Sequence, residues 1–175
     1  MKEAATDIYV IMGVSACGKT TLGRALAAER GVPFFDGDDF HLPSSIAKMS
    51  AGEPLSDADR RGWLRRLNEV AREHRQTGAV IACSALKERY REWLSEGLED
   101  VIVWVVLTGS FEEISERIEN RKGHFMPPAL LRSQFDTLEL PAYGIHLPVR
   151  LTVAQMLKQI RAATGKKGPG PGTPS

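Results

Sequence analysis

Near the start of the chain, Gly13-Val14-Ser15-Ala16-Cys17-Gly18-Lys19-Thr20 follows the pattern G-x-x-x-x-G-K-[ST]. Glycines let a backbone fold around a phosphate, so that successive N–H groups and the N-terminus of the next helix face the anion. Lys19 is the cation that can reach β- and γ-phosphates, and the Thr20 hydroxyl can hold Mg²⁺. The stretch from Gly13 to Thr21 therefore reads as an ATP-binding loop. Cys17 reads as a small filler within it rather than as a nucleophile.

Asp36-Gly37-Asp38-Asp39 is the second candidate. Two carboxylates two residues apart point to one side if the chain stays extended. One could organise the water shell of Mg²⁺ while the other accepts a proton from an attacking hydroxyl. The same residues also make a good solvated turn. Their position after a strand favours function, because open α/β sheets bind ligands at the carboxyl ends of their strands. The common sheet order would set them beside the strand that carries the phosphate loop.

Cations form the third group. Arg117 and Arg121, four apart, match the spacing of the arginine pair in the lid of adenylate kinases, where one packs on adenine and the other meets the transferring phosphate. Cations at a helix C-terminus are also favoured by the helix dipole alone. Lys87 and Arg91 are spaced to share one helical face. Arg60, in the first turn of a long helix, opposes the dipole unless Asp57 and Asp59 compensate, and an arginine there can bind a carboxylate bidentately.

Positioning these groups requires alternating strands and helices. Short apolar runs predict strands over 8–12, 32–35, 79–83, 101–107 and, more weakly, 145–149. Helical periodicity falls over 20–30, closed by Gly31 as C-cap, and over 44–50, 87–95, 111–122, 127–138 and 153–163. Ser56-Asp57-Ala58-Asp59 has the form of a capping box and opens a long helix. Its buried stripe is Trp63, Leu64, Leu67, Val70, Ala71 and His74. This alternation predicts an α/β fold with a parallel sheet covered on both faces. The expected organisation is one domain over 1–164, with a Gly/Pro-rich tail over 165–175 too poor in apolar surface to order itself.

Composition is close to that of an average soluble globular protein. The 175 residues carry 23 Lys+Arg against 22 Asp+Glu, a net charge of +1 that gives no basis for nucleic-acid or membrane binding. The longest apolar run, Val101 to Leu107, has the length of a buried strand and is far too short to span a membrane. The N-terminus does not read as a signal peptide, and two distant cysteines fit a reducing, cytoplasmic setting.

Three further blocks resemble the gluconokinase family, part of the shikimate-kinase and nucleoside-monophosphate-kinase group of P-loop kinases. The first runs Asp36-Gly37-Asp38-Asp39-Phe40-His41, then Lys48-Met49, Gly52, Pro54-Leu55, Asp57, Asp59-Arg60 and Trp63-Leu64. The second is Cys83-Ser84-Ala85-Leu86-Lys87 with Tyr90-Arg91. The third is Gly123-His124-Phe125-Met126 with Gln134-Phe135 and Leu138-Glu139. The resemblance covers about 8–141 and implies ATP-dependent phosphorylation of D-gluconate at O6. It also implies a five-stranded parallel sheet, a mobile lid over about 121–138, and a homodimer. On this reading Lys19, Asp38 and Arg121 are catalytic, and Thr20 and Asp36 serve the metal. Arg117 and Arg121 join the loop in holding ATP, while Asp38, His41, Arg60, Lys87 and Arg91 bind substrate. A P-loop kinase for another small acceptor is the alternative. The family commonly has glycine where Ala16 stands, its usual Pro after the histidine is here Leu42 followed by Pro43, and Ser45 replaces a usual asparagine.

Overall fold

In the computed structural model, residues 6–121 and 127–165 are described. Five parallel strands form one sheet in the order β2-β3-β1-β4-β5: β1 (Ile8–Met12), β2 (Phe34–Asp36), β3 (Ala79–Ala82), β4 (Ile102–Thr108) and β5 (Ile145–Pro148). Seven helices join them: α1 (Lys19–Arg30), α2 (Pro43–Ser50), α3 (Asp57–Glu73), α4 (Glu88–Ser95), α5 (Phe111–Glu119), α6 (Pro128–Thr137) and α7 (Val153–Thr164).

The central strand β1 is buried along its whole length, because alternate side chains enter two separate cores. Ile8, Val10 and Met12 pack with Trp63, Leu64 and Leu67 of α3 and with Leu94 of α4. Tyr9 and Ile11 pack on the other face with Leu22 and Leu26 of α1, Ile114 of α5 and Met156 of α7. Continuous apolar runs are what a parallel strand covered on both faces requires. β3, Ala-Val-Ile-Ala, meets the same demand and is also fully buried.

That burial explains one departure from expectation. The acidic turn does not sit beside the loop-bearing strand, because β3 lies between β2 and β1. β2 is only half-buried and takes the edge. It also starts later than its apolar run. Val32 N–H still donates to Ala27 O of the helix end, and Pro33 has no N–H to give a ladder.

Helix α5 stops at Glu119, short of residue 122. Asn120 and Arg121 close it with N–H bonds to the Glu116 and Ile118 carbonyls, so Arg121 lies beyond the helix that carries Arg117. On α3 the expected capping box is present, with Ser56 and Asp59 bonding reciprocally. Val70 and His74 are only half-buried, and Asn68 fills the stripe instead. Its amide donates to the Leu94 and Glu96 carbonyls, which removes the cost of burying it.

The fifth strand pairs Val105 with Ile145 through Thr108 with Pro148. α7 ends at Thr164 with Gly165 in the left-handed region. The tail beyond Gly165, and residues 122–126 of the expected lid with Gly123 and His124, lie outside the described residues.

Candidate active site

The phosphate loop runs from the end of β1 into α1. Gly13 must be glycine: at φ 152° an added Cβ would stand 2.7 Å from Cys17 Sγ and 3.1 Å from the Leu107 carbonyl. Its N–H donates to Ser84 O at 3.4 Å, which ties the start of the loop to the end of β3. Val14 and Cys17 are buried beneath the loop, and Cys17 packs in the apolar core below α1 as a filler. Ala16 takes φ 62°, a left-handed conformation that suits the glycine found there in related loops.

A cavity of about 710 Å³ opens above this loop. Ser15, Ala16, Gly18, Lys19, Thr20 and Thr21 form one wall, and Asp36 and Asp38 another. Ala82, Cys83 and Ser84, at the end of the intervening β3, make the floor between them, and Arg121 and Gln134 complete the rim. Lys19 Nζ donates to the Gly13 and Val14 carbonyls at 3.0 and 2.9 Å.

The two aspartates are held differently. Asp36 caps a 3₁₀ turn over Gly37–Phe40, with Oδ1 accepting from Asp38 N at 3.0 Å and Oδ2 from the Thr20 hydroxyl at 3.4 Å. Asp38 projects outward, its side chain 86% exposed. Gly37 between them touches the sheet so closely that a Cβ would lie 2.5 Å from Ala82 O, and its carbonyl accepts the Trp63 indole N–H at 2.7 Å.

His41 stacks on Trp63, ring centroids 4.3 Å apart, with Nε2 3.9 Å from Asp38 Oδ1. Burial lowers its pKa below the usual 6.5; Asp38 opposes that shift and Arg60 adds to it. Its Nδ1 and the Ser45 hydroxyl are buried with no hydrogen-bond partner among the described residues. Arg60 is anchored by its Nη1–H to Leu55 O at 2.7 Å. Its guanidinium and the Lys87 ammonium stand 5.5 and 5.7 Å from the Tyr90 ring centroid, while the Tyr90 hydroxyl donates to Asp57 at 2.8 Å. That hydrogen bond is the main reason the Asp57 carboxyl is held below its usual range.

Of the expected arginines, Arg117 donates to Val149 O at 2.7 Å and lies against Gly18, where a Cβ would meet its Nη2 at 3.7 Å. Arg121 faces the cavity itself.

A sequence profile of the shikimate kinase family matches residues 15–140. The thermosensitive gluconokinase of Escherichia coli K12 is 41% identical over 167 residues, covering 91% of this chain and 88% of that protein. The gluconokinase of Gluconobacter oxydans is 47% identical over 134 residues, 75% of each. The chain belongs to the gluconokinase family. A crystal structure of a gluconokinase from Sinorhizobium meliloti superposes with a TM-score of 0.83 at 38% identity over 94% of both chains. The APS kinase of Mycobacterium tuberculosis, at 14% identity and a TM-score of 0.66, shares the fold alone.

Within this gluconokinase-family chain, one expected site residue takes a different place. Arg91 does not share a solvent face with Lys87, because Lys87 is only the N-cap of α4 and Arg91 turns inward to 1% exposure. It donates to the carbonyls of Ala85 and Glu139, to Glu88 and to the Tyr143 hydroxyl. In this arrangement the Arg91 guanidinium holds protein groups on both sides of the segment between β3 and α4. Sequence reasoning undervalued Gln134 and Tyr90. Both stood in the family blocks but carried no charge to mark them.

Proposed function

We propose that this kinase transfers the γ-phosphoryl group of ATP to the O6 hydroxyl of D-gluconate, giving 6-phospho-D-gluconate and ADP. The observation that carries the reading is that the phosphate loop, Asp36, Asp38 and Arg121 line one cavity. Its volume is typical of small-molecule sites.

In this reading Lys19 exchanges the Gly13 and Val14 carbonyls for phosphate oxygens, and the N–H groups at the start of α1 hold the β-phosphate. The acceptor oxygen forms its bond to the γ-phosphorus as the bond to the bridging oxygen of ADP breaks. The hydroxyl proton passes to the Asp38 carboxylate. Arg121 steadies the charge on the transferring group, and Arg117 packs beside the nucleotide. Thr20 and Asp36, two hard oxygen donors already in contact on the cavity wall, suit Mg²⁺. Once bound, the ion would neutralise charge on the phosphate oxygens.

For the acceptor, Asp38 and Arg60 both act electrostatically on His41, and Lys87 shares the Tyr90 ring with Arg60. This basic pair takes the gluconate carboxylate, and neutral His41 meets its hydroxyls. A cytoplasmic location belongs to the same proposal; no helix among the described residues is long and apolar enough to cross a membrane. The homodimer rests on family resemblance, and the mass in solution against the 19.3 kDa chain tests it.

A coupled ADP-release assay over gluconate, shikimate, glucose and a nucleoside monophosphate decides the acceptor. Gluconate should be preferred by at least tenfold in kcat/KM. Equal turnover of shikimate, the substrate of the family whose profile also matches, would replace gluconate while keeping the kinase.

A further inference from the structure

The apex of the phosphate loop is held by a side chain from the other side of the cavity. Gln134 Oε1 accepts from Ser15 N at 2.7 Å, and Gln134 Nε2 donates to Ser15 Oγ at 2.8 Å. A single carboxamide thus satisfies both the backbone and the side chain of one loop residue. Besides these, the hydrogen bonds described for the loop are those of Lys19 within it, of the Ser84 carbonyl at its start, and of the Gly18 carbonyl and the Thr20 hydroxyl where it enters α1.

The residue following Ser15 gives this contact its importance. Ala16 lines the cavity at φ 62°, where an L-residue costs about 1–2 kcal/mol. A loop with alanine in that conformation needs an external hold to keep its N–H groups aimed at a phosphate, where glycine would need less. Gln134 is itself well anchored. Three residues earlier Leu131 is buried to 1%, and the adjacent Phe135 packs edge-on to Phe111 of α5. Just past the end of α6, Glu139 N–H donates to Leu86 O and its carbonyl accepts from Arg91.

We propose that Gln134 is a positioning residue of the nucleotide site, tying α6 to the loop apex and thereby slowing nucleotide release. This deepens the kinase reading and rests on the loop being its nucleotide site. The role runs through Ser15 and Ala16 rather than through contact with phosphate.

The test is a double-mutant cycle on nucleotide release, read by stopped-flow dissociation of a fluorescent ADP analogue with no acceptor present. Gln134→Leu, which keeps size and loses both bonds, should release ADP about tenfold faster. That equals about 1.4 kcal/mol, the size of one to two net hydrogen bonds. Ser15→Ala loses only the amide-to-hydroxyl bond and should accelerate release about threefold. The double variant should be no faster than Gln134→Leu, because contacting residues couple. Unchanged or slower release from Gln134→Leu overturns the proposal, and so do single effects that multiply in the double variant. Thermal midpoints matching the parent's certify that each variant is folded. Release is measured without gluconate, so a parent protein that fails to phosphorylate gluconate would sink the acceptor assignment and leave this test intact.

Discussion

Asp36 and Asp38 are separated by one glycine, and that glycine divides their work. Gly37 presses on Ala82 O, so the chain must turn there. Asp36 is left with both oxygens engaged by Asp38 N and Thr20, while the Asp38 carboxylate projects outward, 3.9 Å from His41 Nε2, where the proposed function has it meet the acceptor hydroxyl. Asp38→Asn keeps the size and the turn but removes the proton acceptor. A fall in kcat of about 10²–10⁴-fold, with ATP affinity kept within a few-fold, is expected. Steady-state kinetics and nucleotide titration check it, and lost ATP binding with surviving turnover would reverse the roles of the two aspartates. In the proposed function Arg60 pairs with the carboxylate at the other end of the acceptor. Breaking a hydrogen-bonded charge pair in a desolvated site costs about 2–5 kcal/mol. Arg60→Ala should therefore raise the gluconate KM by more than tenfold and leave the ATP KM near the parent's. An unchanged gluconate KM would move the carboxylate elsewhere.

At the scale of elements, the segment between β3 and α4 is the piece most dependent on a single side chain. Ala85 sits at φ 42°, a strained value for alanine, with its carbonyl accepting from Arg91 Nη1 at 2.7 Å. Arg91 also takes the Glu139 carbonyl, while the Glu139 side chain accepts from Glu88 N at the start of α4. The same segment supplies Ser84 O to the phosphate loop and Leu86 O to Glu139 N–H. Arg91→Met keeps the stem of the side chain and abandons the buried Ala85 carbonyl and the part-buried Glu139 carbonyl, the first costing about 1–3 kcal/mol and the second less. Stability should fall by about 3 kcal/mol, lowering Tm by roughly 6–12 °C. Calorimetry of the two proteins checks this, and a Tm within 2 °C of the parent's would show that the network is dispensable.

For the whole molecule, His41 links the acceptor side to global stability. Burial against Trp63 holds its native pKa below 6.5. On unfolding the ring returns to 6.5, so between the two values the unfolded chain binds more protons. Its contribution is complete above pH 6.5 and is lost as pH falls towards the native pKa. Denaturant unfolding at pH 7.5 and 5.5 should show lower stability at 5.5. His41→Phe, which keeps the stacking, should show a smaller drop, and identical drops would contradict the assignment. Asp59 does not interfere, since Lys48 first, and then Ser56, hold its carboxyl at about 2, below this window.

The sequence by itself determined the local features. The loop pattern, the Ser56 capping box, the Gly31 C-cap and the five apolar runs each depend on residues within a few positions of one another. Propensity, capping and hydrophobic period act at that range, so their outcome was legible. The family blocks added the acceptor class, because they hold many matched residues at fixed spacing. Tertiary structure decided the rest. The insertion of β3 between β2 and β1 depends on which strand can be buried on both faces, a comparison among strands far apart in the chain. The inward turn of Arg91 depends on carbonyls supplied by residues 85 and 139, and no spacing on α4 could announce them. The pairing of Gln134 with Ser15 joins residues 119 positions apart, and an uncharged amide gains its meaning only from the donor and acceptor that the fold sets before it.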